Sequence, residues 1–142
     1  MMISTRGRYA LRVMIDLAEH IDEGYIPLQT IAKRQGISEK YLESILAVLS
    51  KAGLLDAVRG KGGGYMMAKD PAEVRAGDIL RAVEGSTAPV ACDGIDNSCT
   101  RSDLCSTVKF WRGLDEVIEN YVDGVTLADL AAVPEINFDI KL

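Results

Sequence analysis

The sequence predicts a mainly α-helical fold: a winged helix-turn-helix with a two-stranded β wing, followed by a long C-terminal dimerisation helix. Three observations predict it. Ile26 to Lys69 carries two helical patterns separated by a glycine, then two short strand-like runs. Those two runs are joined by the basic, glycine-rich segment Arg59-Gly60-Lys61-Gly62-Gly63-Gly64. Further on, Thr107, Trp111, Leu114, Ile118, Tyr121 and Val125 alternate spacings of four and three, the seam of a coiled coil.

The first helix is predicted over Gly7 to Ile21, capped by Ser4 or Thr5. Tyr9, Val13, Leu17 and Ile21 recur every four residues, with Ala10, Met14 and Ala18 beside them. Arg6, Arg8 and Arg12 cluster at its start, where phosphate contact and ordinary solvation are both open readings. His20 is the only histidine and is read as a surface residue near a helix end, where a cation is mildly favoured. With no second histidine there is no imidazole cage for a metal and no obvious catalytic base. Asp22-Glu23-Gly24 then forms a turn.

Pro27 suits the first turn of the second helix, because the proton it lacks would have no partner there. Leu28, Ile31 and Ala32 share one face, with Lys33 and Arg34 outward. Gly36 follows the last periodic residue, where a left-handed cap is cheapest for glycine. Ser38 is a good N-cap for the third helix, and Glu39 favours its positive end. Leu42, Ile45, Leu46 and Leu49 form the buried stripe of that helix. Ser38, Lys40, Tyr41 and Glu43 occupy the other side near its start, the part that meets base edges in a helix-turn-helix. Lys40 can reach a phosphate or a guanine, and Glu43 can accept from the amino group of cytosine.

Gly53 ends that helix. Leu54 to Val58 and Tyr65 to Ala68 read as paired strands. Arg59 and Lys61 charge the tip, and its glycines allow a tight turn and close approach to another surface, so a wing in or beside the minor groove fits. A phosphate-cradling loop would join a strand to a helix, and this one joins two strands. The competing reading of the whole region is an ordinary helical hairpin and β-hairpin without a nucleic-acid role.

Asp70-Pro71-Ala72-Glu73 begins a helical turn, and Ile79, Leu80, Ala82 and Val83 mark a short helix ending at Gly85. Ser86 to Leu104 has no periodicity, and an unstructured loop of that length is uncommon unless functional. A long helix is predicted from Ser102. Its apolar seam of Trp111, Leu114, Ile118, Tyr121 and Val125 either pairs with the same helix of a second chain or packs on the chain's own core. Thr126-Leu127-Ala128-Asp129 fits a capping pattern for one last short helix that Pro134 ends. The predicted organisation is therefore a reading unit over 1–85, a cysteine-bearing loop over 86–104, a dimerisation helix and short helix over 102–132, and a tail over 133–142.

Cys92, Cys99 and Cys105 are spaced C-x6-C-x5-C. Closely spaced zinc pairs are absent. Three thiolates on a glycine-containing loop can converge on an iron–sulfur cluster, which normally takes four ligands. Asp93, Asp96, Asp103, His20, a residue of a partner chain or a small molecule are candidates for the fourth. Three unligated, redox-active thiols are the competing reading.

The chain of 142 residues has a net charge of −5, but its halves differ. Residues 1–69 carry +3 and residues 70–142 carry −8, which suggests one end that faces DNA and one kept away from it. No run of about 18 apolar residues exists to span a membrane. The start of the chain has no secretory pattern, and the expected compartment is the cytoplasm.

These residues resemble a known family. Thr5-Arg6-Gly7-Arg8-Tyr9-Ala10, the run Ile31 to Gly36, Tyr41-Leu42-Glu43, and Val58-Arg59-Gly60 with Gly62-Gly63-Gly64-Tyr65 look like the iron–sulfur cluster regulator family of winged-helix transcription regulators. The resemblance runs from about residue 2 to residue 132. It implies a homodimeric bacterial regulator, typically a repressor or activator, that binds double-stranded DNA. By similarity, Ser38, Lys40, Tyr41 and Glu43 would read DNA, with Arg59 and Gly60 of the wing, and Lys61 at its tip would add charge. Cys92, Cys99 and Cys105 match the cluster ligands, of two or four irons, which purified protein can lack. Two positions depart from the pattern: the member that regulates cluster assembly has a histidine where this chain has Val108, and the nitric-oxide sensor has an acid where it has Arg8. The alternatives are a cluster-free regulator sensing through a partner protein or thiol oxidation and, in another class, a small electron carrier. No acid–base pair or cofactor loop points to an enzyme.

Overall fold

The structure, a computed structural model, describes residues 3–90 and 106–131. Helix α1 spans Thr5–Glu19, two residues earlier at each end than its periodicity predicts. Ser4 sets the start, its Oγ accepting from the Gly7 amide at 3.2 Å. Past Glu19 the chain tightens into a 3-10 turn at Ile21–Glu23 and reverses at Gly24, φ 70°. Ile21 is thereby turned off the apolar stripe and is 41% exposed. His20 is not a free surface residue, because its Nδ1 lies 2.7 Å from the Asp16 carbonyl oxygen.

Helix α2 is Leu28–Gln35. Pro27 sits one position earlier than expected, as the extended cap residue, and its carbonyl accepts from the amides of Thr30 and Ile31. Gly36 takes the left-handed conformation, φ 65° and ψ 35°, that turns the chain toward helix α3, Glu39–Lys51. The Ser38 Oγ accepts from the Tyr41 amide at 3.3 Å. Leu42, Ile45, Leu46 and Leu49 are completely buried, as their spacing requires.

Strands β1, Leu55–Val58, and β2, Gly64–Met67, pair antiparallel, with Leu55 opposite Met67 and Val58 opposite Gly64. Leu54 is lost to the strand because its amide still bonds back to the Leu49 carbonyl of α3. The hairpin is tied to the entry of α2 by reciprocal 2.9 Å hydrogen bonds between Ile26 and Tyr65. Gly64, φ 151°, permits this, since a Cβ there would collide with the Ile26 carbonyl.

Asp70 caps a 3-10 turn at Pro71–Glu73 by accepting from the Ala72 amide. Helix α4, Ala76–Glu84, starts where the Asp78 carboxylate accepts from the Arg75 amide at 3.0 Å, and it ends at Gly85. Helix α5 spans Val108–Gly124, so it begins later than the predicted Ser102; Ser106 and Thr107 form a turn ahead of it. Helix α6, Leu127–Ala131, opens with the expected reciprocal cap: Thr126 N–H to Asp129 Oδ2 and Asp129 N–H to Thr126 Oγ1, both 3.0 Å.

Helix α6 folds back onto the N-terminal body. The Leu127 amide donates to the Val74 carbonyl at 2.7 Å, the Ala76 amide to the Val125 carbonyl at 2.8 Å, and Leu127 is completely buried. A single core therefore joins Val13, Met14 and Leu17 of α1 to the stripe of α3, Ile79 of α4 and Leu127. Cys92, Cys99, Cys105, Pro134 and the tail lie outside the described residues. No helix among the described residues is long and apolar enough to cross a membrane.

Candidate nucleic-acid interface

The helix-turn-helix is held to α1 by polar groups. Asp16 interrupts the apolar face of α1 and is 3% exposed. A carboxylate so deprived of water needs partners. Arg34 supplies two hydrogen bonds, at 2.6 and 3.2 Å, and Gln35 Nε2 a third at 2.7 Å. Arg12 donates to the Gln35 carbonyl at 2.8 Å while its guanidinium lies 5.1 Å above the Tyr9 ring. Arg6 donates to the Ser44 carbonyl of α3 at 3.2 Å. Two of the three N-terminal arginines thus hold helices α2 and α3 in place. Arg8 stays exposed, bonded to Thr5 Oγ1 at 3.1 Å.

On that frame, α3 and the wing face each other across a groove of about 600 Å³. Glu43 and Ala47 of α3, Val58, Arg59 and Gly60 of the wing, Gln29 of α2 and Tyr65 of β2 line it. Glu43 and Arg59 both act on the Tyr65 hydroxyl. Its pKa is raised, first by burial and then by the Glu43 carboxylate, while Arg59 pulls it down. Two residues that the sequence places sixteen positions apart therefore share one electrostatic environment.

Ser38 and Lys40 are exposed at the start of α3. Ser38 borders a second hollow together with Lys33, Gly36 and Glu39. Gln29 lines both hollows, so they adjoin one another across the start of α2. Tyr41 differs from its neighbours: its ring is half-buried and meets Tyr9 edge-on at 6.0 Å. Lys61 is exposed at the tip of the wing and does not line the groove. Sequence reading missed Gln29, Ser50 and Tyr65. Gln29 had a usable signal, since it follows Pro27 at the helix start where the wing docks.

Along α5, Trp111, Leu114 and Ile118 are half-buried and Tyr121 is 67% exposed. Val125, placed on the same seam by its spacing, instead lies just past the end of the helix in extended conformation, tied to α4 through the Ala76 amide. Phe110 and Val117, each 65% exposed, continue the stripe on its outer edge. The opposite side carries Glu119 and Asp123, which meet Arg81 of α4.

The chain matches the model of the Rrf2 family, described as iron-dependent transcriptional regulators, over residues 3–133. It is 42% identical over 130 residues to the HTH-type transcriptional regulator IscR of Serratia proteamaculans, covering 92% of this chain and 79% of that one. Among solved structures it is similar to IscR of T. potens, with TM-score 0.75 and 41% identity over 95% of this chain and 89% of that one. It is also similar to CymR, the global cysteine regulator of B. subtilis, with TM-score 0.77 and 36% identity over 95% of this chain and 99% of that one. These matches decide between a regulator and an electron carrier. The chain is a DNA-binding, winged-helix transcriptional regulator and belongs to the Rrf2 family.

Proposed function

We propose that the protein acts as a homodimer that reads an inverted-repeat operator with α3 and its wing, and that Cys92, Cys99 and Cys105 hold an iron–sulfur cluster controlling that grip. The observation that carries the reading is the groove in which Glu43 of α3 faces Arg59 and Gly60 of the wing. The start of α3 enters the major groove, where Ser38, Lys40 and Glu43 reach base edges or phosphate. Tyr41 supports that turn from behind by packing on Tyr9. Arg59 and Lys61 take the wing to the adjacent backbone or minor groove. The apolar stripe of half-buried Trp111, Leu114 and Ile118 with exposed Tyr121, widened by exposed Phe110 and Val117 and followed by Val125 just past the helix end, supports pairing of two α5 helices.

Soft thiolates suit iron, and three of them leave one position to fill. Val108, the first residue of α5, offers no donor, and neither does Arg8, whose guanidinium has no lone pair to give. His20 turns Nδ1 to the Asp16 carbonyl at 2.7 Å, an arrangement that leaves the Nε2 lone pair to give. The fourth donor is then His20, a carboxylate among Asp93, Asp96 and Asp103, a group of the partner chain or a small molecule. When bound, the cluster supplies a redox- and oxygen-sensitive centre in the segment that leads into α5. Anaerobic purification should yield coloured protein containing iron and sulfide, and Cys99→Ala should lose both the colour and the dependence of DNA binding on it. Colourless, iron-free protein from anaerobic cells contradicts the cluster.

A second reading keeps the DNA-binding role without the cluster. The likeness to CymR, a cysteine regulator also known in an oxidised form from Staphylococcus aureus, favours it, as do Val108 and Arg8. Sensing then passes through oxidation of the same thiols or a partner protein. Peroxide treatment of iron-free protein, followed by thiol counting and gel shift, separates the two readings.

A further inference from the structure

The carboxylate of Glu119, in the second half of α5, is shared between two other segments. Its Oε2 accepts from Arg81 Nη1 of α4 at 2.8 Å. Its Oε1 accepts from the hydroxyl of Thr87, which is 4% exposed and stands two residues past Gly85. Thr87 opens the stretch of chain that reaches Cys92 five residues later. Arg81 also reaches Asp123, one turn further along α5, and lies 3.7 Å from Asp78 on its own helix. A Cβ at Gly77 would meet the ends of the Asp123 and Arg81 side chains, so a substitution there would shift these flexible groups.

We propose that Glu119 is a positioning residue: through Arg81 and Thr87 it fixes the angle at which α5 leaves the reading body, and with it the separation of the two α3 helices in the dimer. The inference rests on the reading of α5 as the dimer helix. Ionised donors and acceptors hold short, directional hydrogen bonds, so a carboxylate gripped from two sides sets orientation. A hydroxyl removed from water keeps its acceptor. Displacement of the chain at Thr87 therefore draws Glu119 with it or breaks that bond. Because two-fold readers bind half-sites at a fixed helical spacing, a change in the tilt of α5 changes which spacing fits.

Glu119→Gln and Thr87→Val test this on full-length protein, using a half-site taken from selected duplexes. Binding is measured to a single half-site and to paired half-sites whose spacing is varied one base pair at a time, with sedimentation reporting mass. Both variants should remain dimers and bind the single half-site within about twofold of wild type, while Glu119→Gln loses about tenfold on the paired duplex, inside the usual span of coupling between sites. Its preferred spacing should broaden or move. Equal losses on single and paired duplexes, with the preferred spacing unmoved, would show a merely structural role and overturn the proposal. Variants that match wild type on every duplex overturn it as well. A wild-type protein indifferent to the second half-site overturns the dimer reading itself and this inference with it, and that failure is visible before any substitution is made.

Discussion

Arg81 of α4 donates to Glu119 of α5 across 2.8 Å, and the same guanidinium holds Asp123 one turn further along. The pair is a third exposed on each side, so water screens it. Arg81→Ala should destabilise the protein by only about 1 kcal/mol, the scale of partly exposed ion pairs. Urea denaturation checks this, and a loss beyond about 3 kcal/mol would mean that α5 is part of the cooperative core rather than hinged to it.

Gly64 lets the wing sit against the chain entering α2. Alanine there combines a φ of 151° with a Cβ driven into the Ile26 carbonyl. Gly64→Ala should cost about 1–3 kcal/mol of local stability and break the reciprocal Ile26–Tyr65 hydrogen bonds. Hydrogen exchange should show those two amides losing protection while Leu46 keeps it. Unchanged protection at Tyr65 would contradict the assigned register.

Much of this was legible in the chain itself, and the reason is local chemistry. Ser38 and Gly36 announce the turn between α2 and α3, the spacing of Leu42, Ile45, Leu46 and Leu49 gives the buried face, and Thr126 with Asp129 gives the last cap. Features set by partners distant in sequence were hidden. Arg6 and Arg12 look like phosphate ligands until their carbonyl partners, 38 and 23 residues away, are known. The return of α6 depends on Val74 and Ala76, about fifty residues earlier. Thr107 offers α5 no side-chain cap, so nothing local marks its start at Val108. Of the reading surface, Glu43 and Arg59 were recognisable by position, whereas Gln29 and Tyr65 join it only because the wing docks on α2.

The Asp129 carboxyl is held below the ordinary value of 3.8, first by the backbone amide of Thr126 and then by its side chain. A depressed carboxyl contributes stability that is present above its unfolded value and lost as pH falls through the lower folded value. The start of α6 should therefore stay formed at pH 5 and loosen only below about pH 4. An NMR titration should place the Asp129 midpoint below 3.8, and Thr126→Ala, which keeps the backbone donor, should restore only part of the shift. A midpoint at or above 3.8 contradicts the cap.

Arg59 and Glu43 face one groove but should fail differently. Arg59→Ala should weaken binding to all duplexes alike and reduce the salt slope by about one. Glu43→Gln should leave the slope unchanged and relax discrimination at one base pair, worth about 1–3 kcal/mol for a well-made contact. Filter binding across a salt series distinguishes them, and identical effects of the two substitutions would contradict separate roles.

Selection of duplexes from a randomised library, followed by footprinting of the winners, bears most directly on the reading of the protein as a two-fold DNA reader. The expected result is an inverted repeat whose half-sites lie on one face of the duplex, about one helical turn or a multiple of it apart, protected together. Enrichment of a single asymmetric site, or of no sequence at all, would contradict it.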